Sequence, residues 1–148
     1  MKTLIKPPQL LPGDTIAIVS PSSPPADPRN LDRAVALVEA LGYRAFITRN
    51  ARKRRGFLAG SDRERAADLM AAFASRKVNA IFCMRGGHGA TRLLSLLDYP
   101  LIRRYPKIFM GYSDITALHC AMLQKSGLVT FHGPMPNADF LTHGFPEF

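Results

Sequence analysis

The sequence predicts an α/β domain in which a mostly parallel sheet carries helices on both faces. Two observations lead there. Short apolar runs of strand length alternate with helical stripes in the pattern β-α-β-α-β-α-β-α-β, and such alternation folds into a parallel sheet through right-handed crossovers. The run Val78 to Met84 is almost continuously apolar, as a strand covered on both faces must be. No internal repeat or low-complexity segment interrupts the pattern. In sheets of this kind ligands bind beyond the carboxyl ends of the strands.

Residues 1–12 read as an extended lead-in. After the turn Pro12-Gly13-Asp14, Thr15 to Ser20 is the first strand, and it ends in the loop Pro21-Ser22-Ser23-Pro24-Pro25. Asp27 is an expected N-cap with Pro28 at the first helical position, and Leu31, Ala34, Val35, Val38 and Leu41 form a helical stripe that Gly42 closes. Tyr43 to Ile47 is the second strand. An exposed basic loop is expected from Thr48 to Gly60. Ser61-Asp62-Arg63-Glu64 is a capping box, and the helix it starts has Ala66, Leu69, Met70 and Phe73 on its apolar face. Val78 to Met84 runs into the glycine-rich segment Arg85-Gly86-Gly87-His88-Gly89. A helix is expected over Ala90 to Leu97, with a further turn from Tyr99 to Arg104. Lys107 to Met110 is the fourth strand. Ile115, Leu118, Met122 and Leu123 then recur at helical spacing, with His119 on the same face. Leu128 to His132 reads as the fifth strand.

The 148 residues are enough for one domain with a real core, and 47% hydrophobic content is that of a globular chain. The net charge of +9 favours an anionic partner. Its one dense basic cluster, Arg52 to Arg55, has no interleaved aromatic residues, so single-stranded nucleic acid is not indicated. Cys83 and Cys120 have no ligand spacing for zinc and form no disulfide framework, so both are expected as buried free thiols. The amino-terminal residues hold no apolar signal-peptide core, and no run reaches the roughly 18 apolar residues of a membrane span. A cytoplasmic location is therefore expected, without membrane association.

Three unusual loops meet at the carboxyl edge: Pro21-Ser22-Ser23, Arg85 to Gly89, and Gly111-Tyr112-Ser113-Asp114. Ser113 stands where a strand turns sharply into a helix, which is the setting of a nucleophile elbow. The elbow pattern G-x-S-x-G is incomplete, because Ile115 occupies the second glycine position. Ser113 as a helix cap, with Asp114 adding charge to the first turn, stays open on these residues. The three glycines after the third strand can point amides at a ligand, but they match neither a P-loop nor a dinucleotide fingerprint. An oxyanion hole and a plain turn are the other readings. His88 is a ligand, a base or a solvent-facing loop histidine. His119 reads as a hydrogen-bonded core residue.

Taken together, L-x-P-G-D-x-I-A-I-V-S-P-S-S at Leu10 to Ser23, G-F-L-A-G-S-D-x-E-R-A at Gly56 to Ala66, R-G-G-H-G-A at Arg85 to Ala90, P-K-I-F-M-G-Y-S-D-I-T-A-L-H at Pro106 to His119 and F-H-G-P at Phe131 to Pro134 resemble the LD-carboxypeptidase family. That serine peptidase family also contains the microcin C immunity proteins. The resemblance implies a Rossmann- or flavodoxin-like three-layer fold of the class I glutamine amidotransferase kind. It also implies a cytoplasmic enzyme, usually a homodimer, that needs no metal and no cofactor. Such enzymes release the terminal D-alanine of the murein tetrapeptide in peptidoglycan recycling through a Ser-His-Glu triad. By the same resemblance Ser113 is the nucleophile, and the amides of Asp114 and Gly87 form the oxyanion hole. Gly86, His88 and Tyr112 are then candidates for substrate contact. The family usually has tyrosine where His88 stands.

The family's catalytic glutamate and histidine lie in a C-terminal domain. Residues 1–148 are therefore expected to be the nucleophile-bearing N-terminal domain, with 135–148 starting the linker to its C-terminal partner, and to have little activity alone. Two other readings use the same residues: an immunity-type hydrolase of peptidyl or aminoacyl nucleotides, and a stand-alone anion- or nucleotide-binding domain. Non-specific association with nucleic acid through the +9 charge is a third.

Overall fold

The computed structural model of the chain describes residues 3–143. Five strands, β1 (Thr15–Val19), β2 (Arg44–Ile47), β3 (Ala80–Cys83), β4 (Ile108–Gly111) and β5 (Phe131–His132), form one sheet in the order β2-β1-β3-β4-β5. Every pairing in it is parallel. The helices are α1 (Asn30–Ala40), α2 (Asp62–Ala74), α3 (Tyr99–Arg104), α4 (Thr116–Ser126) and α5 (Leu141–His143).

Side-chain alternation along β1 sorts the two faces. Ala17 and Val19 pack with Leu69 and Phe73 of α2, Ile102 of α3 and Leu118 and Met122 of α4. Ile18 faces the other way, against Leu31 and Ala34 of α1, with Leu141 of α5 beside them, and Ile16 packs with Val38. The sheet is thus covered on both sides, and β1 and β3 are apolar on both faces. The direction of winding reverses between β1 and β3, which opens a crevice at their carboxyl ends.

Local chemistry accounts for most boundaries. The capping box forms as expected: Ser61 Oγ accepts from the Glu64 amide at 3.3 Å, and Glu64 Oε2 accepts from the Ser61 amide at 2.9 Å. Gly127, at φ +77°, ends α4. Several expectations are corrected. Helix α1 begins at Asn30, because the Asp27 carboxylate closes a turn on the Arg29 amide (2.9 Å) instead of capping at Pro28. The expected helix over Ala90 to Leu97 shrinks to a 3-10 turn, Ala90–Leu93. The Leu94 carbonyl accepts from Tyr99 Oη at 2.7 Å, and Asp98 caps α3 through the Leu101 amide, so two short elements replace one helix. Strand β5 is shorter than expected. Leu128 and Val129 are drawn instead to the lead-in, where Ile5 donates to Gly127 and accepts from Val129 (2.8 and 2.9 Å).

Leu123 is exposed, and of the two thiols only Cys83 is buried, Cys120 facing solvent. The loop after β2 is not exposed throughout. Its ends, Thr48, Asn50, Ala51 and Leu58–Gly60, are buried, and the Asp68 carboxylate accepts from Asn50 N and Nδ2 at 2.9 and 2.8 Å. Its basic tip is partly neutralised, Arg52 pairing with Asp32 and Lys53 with Glu64. Pro136–Phe140 form a single π-helical turn ahead of α5; residues 144–148 of the expected linker lie outside the described residues. Among the described residues no helix is long and apolar enough to cross a membrane.

Candidate active site

The loops that leave β1, β3 and β4 emerge side by side, because these strands are neighbours in the sheet. After β4 the chain passes through Tyr112, makes the 3-10 turn Ser113–Ile115 and enters α4. Ser113 has φ +62° and is the only non-glycine residue with positive φ among the described residues. An L-residue held in that region carries strain, and strain of this kind gathers at functional turns. The side chain is exposed while Ile115 is fully buried. The incomplete elbow pattern now has a reason. A Cβ on Gly111 would lie 3.0 Å from Ile115 Cγ2 and 3.1 Å from Cys83 Cβ, so Ile115 packs into the space that Gly111 leaves at the strand end.

The three loops are tied together by two side chains. Asp114 Oδ2 accepts from Ser22 Oγ at 2.5 Å and from the Ala90 amide at 2.9 Å, joining the β4 loop to the other two. Arg65, fully buried on α2, donates from Nη1 to the carbonyls of Pro21 (2.6 Å) and Gly89 (3.0 Å) and from Nη2 to Asp62 Oδ1 (2.5 Å). Burial lowers the Arg65 pKa, while hydrogen bonds first from Arg92 and then from Arg65 hold the Asp62 carboxyl below its usual range. Sequence reasoning assigned Asp114 an amide and a helix-turn charge, and missed both ties. The signal for Arg65 was available: an arginine one position before Ala66 and four before Leu69 falls on the buried face of α2.

The glycine loop runs against the serine. A Cβ on Gly86 would lie 3.0 Å from Ser113 Cβ, 3.2 Å from its Oγ and 3.4 Å from the Asp114 amide nitrogen. Gly87, at φ +132°, lies so close to Ser23 that a Cβ would sit 2.1 Å from its Oγ. Among the described residues the Gly87 amide has no hydrogen-bond partner. An exposed hydroxyl, a free amide nearby and the start of a helix can serve an acyl-transfer reaction.

A cavity of about 260 Å³ opens here, walled by Arg85, Gly86, Gly87, Tyr112 and Ser113 on one side and by Met135, Asn137 and Ala138 on the other. The second wall was not foreseen from the sequence. It is pinned by the Asn137 amide on the Met84 carbonyl (3.1 Å) and by the Asn30 amide group on Asn137 Oδ1 (2.9 Å). Tyr112 Oη donates to Asp139 Oδ1 at 3.3 Å, and burial, followed by that carboxylate, raises the tyrosine pKa. A hollow of about 280 Å³ at the amino-terminal edge of the sheet is walled in part by Lys107, whose ammonium is taken up by the Ser75 and Val78 carbonyls.

His88 is exposed, its ring edge-on to Phe57 at 6.4 Å, and it does not line the cavity. His119 is buried with both ring nitrogens engaged: Nε2 donates to the Gly111 carbonyl at 2.8 Å, which leaves Nδ1 to accept from Thr130 Oγ1 at 2.9 Å. Burial lowers its pKa, so it is a neutral structural residue, as expected. Among the described residues the Ser113 hydroxyl makes no hydrogen bond, and none of their histidines or carboxylates is bonded to it as a base. Among the same residues no group of three or more His, Cys, Asp or Glu side chains is placed to hold a metal ion.

A family model described as the LD-carboxypeptidase N-terminal domain matches residues 16–133. A probable murein peptide carboxypeptidase of Bacillus subtilis strain 168 is 48% identical over 134 residues, covering 90% of this chain and 42% of the relative. Among solved structures, an MccF-like protein from Bacillus anthracis superposes with a TM-score of 0.86 at 39% identity, over 90% of this chain and 41% of that one. MccF in complex with glutamyl sulfamoyl guanosine does so with a TM-score of 0.86 at 32% identity, over 96% and 42%. The chain spans less than half the length of these relatives.

Proposed function

The chain belongs to the LD-carboxypeptidase family, whose N-terminal domain its residues match, and from that premise we propose that it carries the nucleophile of a serine carboxypeptidase acting on murein peptides. The observation that supports this best is Ser113, held at φ +62° at a strand-to-helix turn and closely approached by Gly86. In this reading Ser113 Oγ attacks the carbonyl of the bond before the terminal D-alanine. The amides of Asp114 and Gly87 take the charge that develops on the carbonyl oxygen. D-Alanine leaves with the proton lost by the hydroxyl, and water then hydrolyses the acyl-serine. One oxyanion donor of this kind contributes about 2.7–4 kcal/mol of transition-state stabilisation.

A serine hydroxyl is a weak nucleophile at neutral pH without a base. With His119 engaged elsewhere, the base and its carboxylate in this proposal come from outside residues 3–143, in the family's C-terminal domain. Gly86 and Tyr112 line the substrate pocket, and His88, next in the glycine loop after Gly87, remains a candidate for substrate contact. A cytoplasmic homodimer without metal or cofactor, acting in peptidoglycan recycling, completes the reading.

The test is D-alanine release from murein tetrapeptide by the protein purified from its own cells. Ser113→Ala is expected to lower the rate by about 10⁴-fold or more. Undiminished release by that variant would refute the assignment. The likeness to MccF solved with glutamyl sulfamoyl guanosine favours a second reading, hydrolysis of peptidyl or aminoacyl nucleotides by the same serine. Turnover of an aminoacyl nucleotide in place of the tetrapeptide would select it.

A further inference from the structure

Among the described residues Arg85 is the one cationic side chain on the wall of the cavity that holds Ser113. Its contacts are weak for a guanidinium: Nε donates to the neighbouring Gly86 carbonyl at 3.2 Å and Nη1 to the Pro24 carbonyl at 3.5 Å. Both acceptors are neutral. Among the described residues no carboxylate pairs with Arg85, and Nη2 makes no hydrogen bond. Other arginines of this chain do have carboxylate partners, with Arg52 on Asp32, Arg92 on Asp62 and Arg29 on Asp27. A half-buried guanidinium with a free edge, facing a cavity and paired with no carboxylate among the described residues, has the chemistry to receive a carboxylate.

Resting on the peptidase reading above, we propose that Arg85 is the subsite for the free terminal carboxylate of the substrate and makes the enzyme a carboxypeptidase rather than an endopeptidase. The spacing agrees. In a peptide cut before its last residue, the terminal carboxylate lies one residue beyond the scissile carbonyl, about 3.8 Å along the chain. Arg85 is next to Gly86, whose backbone touches Ser113, and two residues before the Gly87 amide assigned to the carbonyl oxygen. One loop thus presents an amide to the reacting oxygen and a cation to the group just past it. The loop ties through Arg65 and Asp114 hold the far end of this loop, at Gly89 and Ala90.

The experiment compares kcat/KM for a tetrapeptide ending in D-alanine with that for the same peptide ending in D-alaninamide, using protein purified from its own cells. The unmodified protein is expected to prefer the free acid by about 10- to 100-fold, the scale of one charge-assisted hydrogen-bonded pair. In Arg85→Gln this preference should fall to near one. In Arg85→Lys, which keeps the charge and loses the planar fork, it should lie between. A preference unchanged in Arg85→Gln overturns the proposal, and Arg85→Lys decides alone, on the same criterion, should the glutamine variant not fold. An aminoacyl sulfamoyl adenosine, with no carboxylate on its leaving side, is the third probe. If its affinity falls in Arg85→Gln while the acid-to-amide preference stays, Arg85 belongs to a nucleotide site instead, and the proposal is overturned. If the unmodified protein releases D-alanine from neither peptide, it is the peptidase reading that falls, and the subsite with it.

Discussion

Ser113 stores backbone strain in a place where the sequence had an unstrained choice. Held in the left-handed region, a residue with a Cβ costs about 1–2 kcal/mol, whereas glycine costs about 0.5–1 kcal/mol through its freer unfolded chain. Ser113→Gly is therefore expected to gain about 0.5–1 kcal/mol, read as a higher urea midpoint at constant slope, while losing hydrolysis. A variant that is less stable than the unmodified chain would show that the turn imposes no strain. Such a trade, stability surrendered at a single exposed hydroxyl, is difficult to explain for a serine that only caps a helix. The opposite holds at Gly87, where the conformation and the 2.1 Å approach to Ser23 leave room for no side chain at all. The two residues lie on facing loops, one paying for a side chain and the other for its absence.

Helix α2 shows how an element can serve a site it does not enter. Its capping box sets the first turn, and Lys53 reaches across from the basic loop to Glu64 Oε1 at 2.6 Å. Hydrogen bonds, first from Lys53 and then from the Ser61 amide, hold the Glu64 carboxyl at about 2, against an ordinary 4.5. Since the folded-state value is the lower one, the stabilising contribution is complete above about 4.5 and is lost as pH falls through about 2. Glu64→Gln is expected to lower the urea midpoint at pH 7 and to flatten its decline between those two values. An unaltered decline would place the acid sensitivity elsewhere. The next residue, Arg65, ties the β1 and β3 loops. The capping box, the sheet and the elbow were legible because their signals are local: S-x-x-E, apolar runs, and a glycine ahead of a serine. Asp114 as a tie was not legible, because its partners Ser22 and Ala90 lie 92 and 24 residues away. The shortened β5 was hidden for the same reason, since Leu128 and Val129 are drawn to Ile5, whereas the Ala90 to Leu97 helix is broken locally, by Tyr99 Oη on the Leu94 carbonyl five residues away.

On the scale of the whole molecule, the site exists only where the winding of the sheet brings residues 20–23, 85–89 and 112–114 to one edge, with 135–138 as the far wall. The +9 charge is not gathered into a free basic tract, since Arg52 and Lys53 are paired, and the cation that matters for the chemistry is Arg85 in the cavity. The fold thus supplies a strained hydroxyl, a free loop amide and an anion receptor, while the described residues supply no base bonded to the hydroxyl. That division has a measurable consequence. A positioned general base contributes about 10²- to 10⁴-fold to such a reaction. The purified 148-residue chain is therefore expected to release D-alanine from the tetrapeptide slower than the protein isolated from its own cells by about that factor. It should still bind the free-acid peptide in preference to the amide, because Arg85 and the amides of the glycine loop belong to the chain itself. Equal rates from the two preparations, both abolished by Ser113→Ala, would place the base within residues 1–148. His132, 6.0 Å from Tyr112 between ring centres, would then be the first residue to substitute.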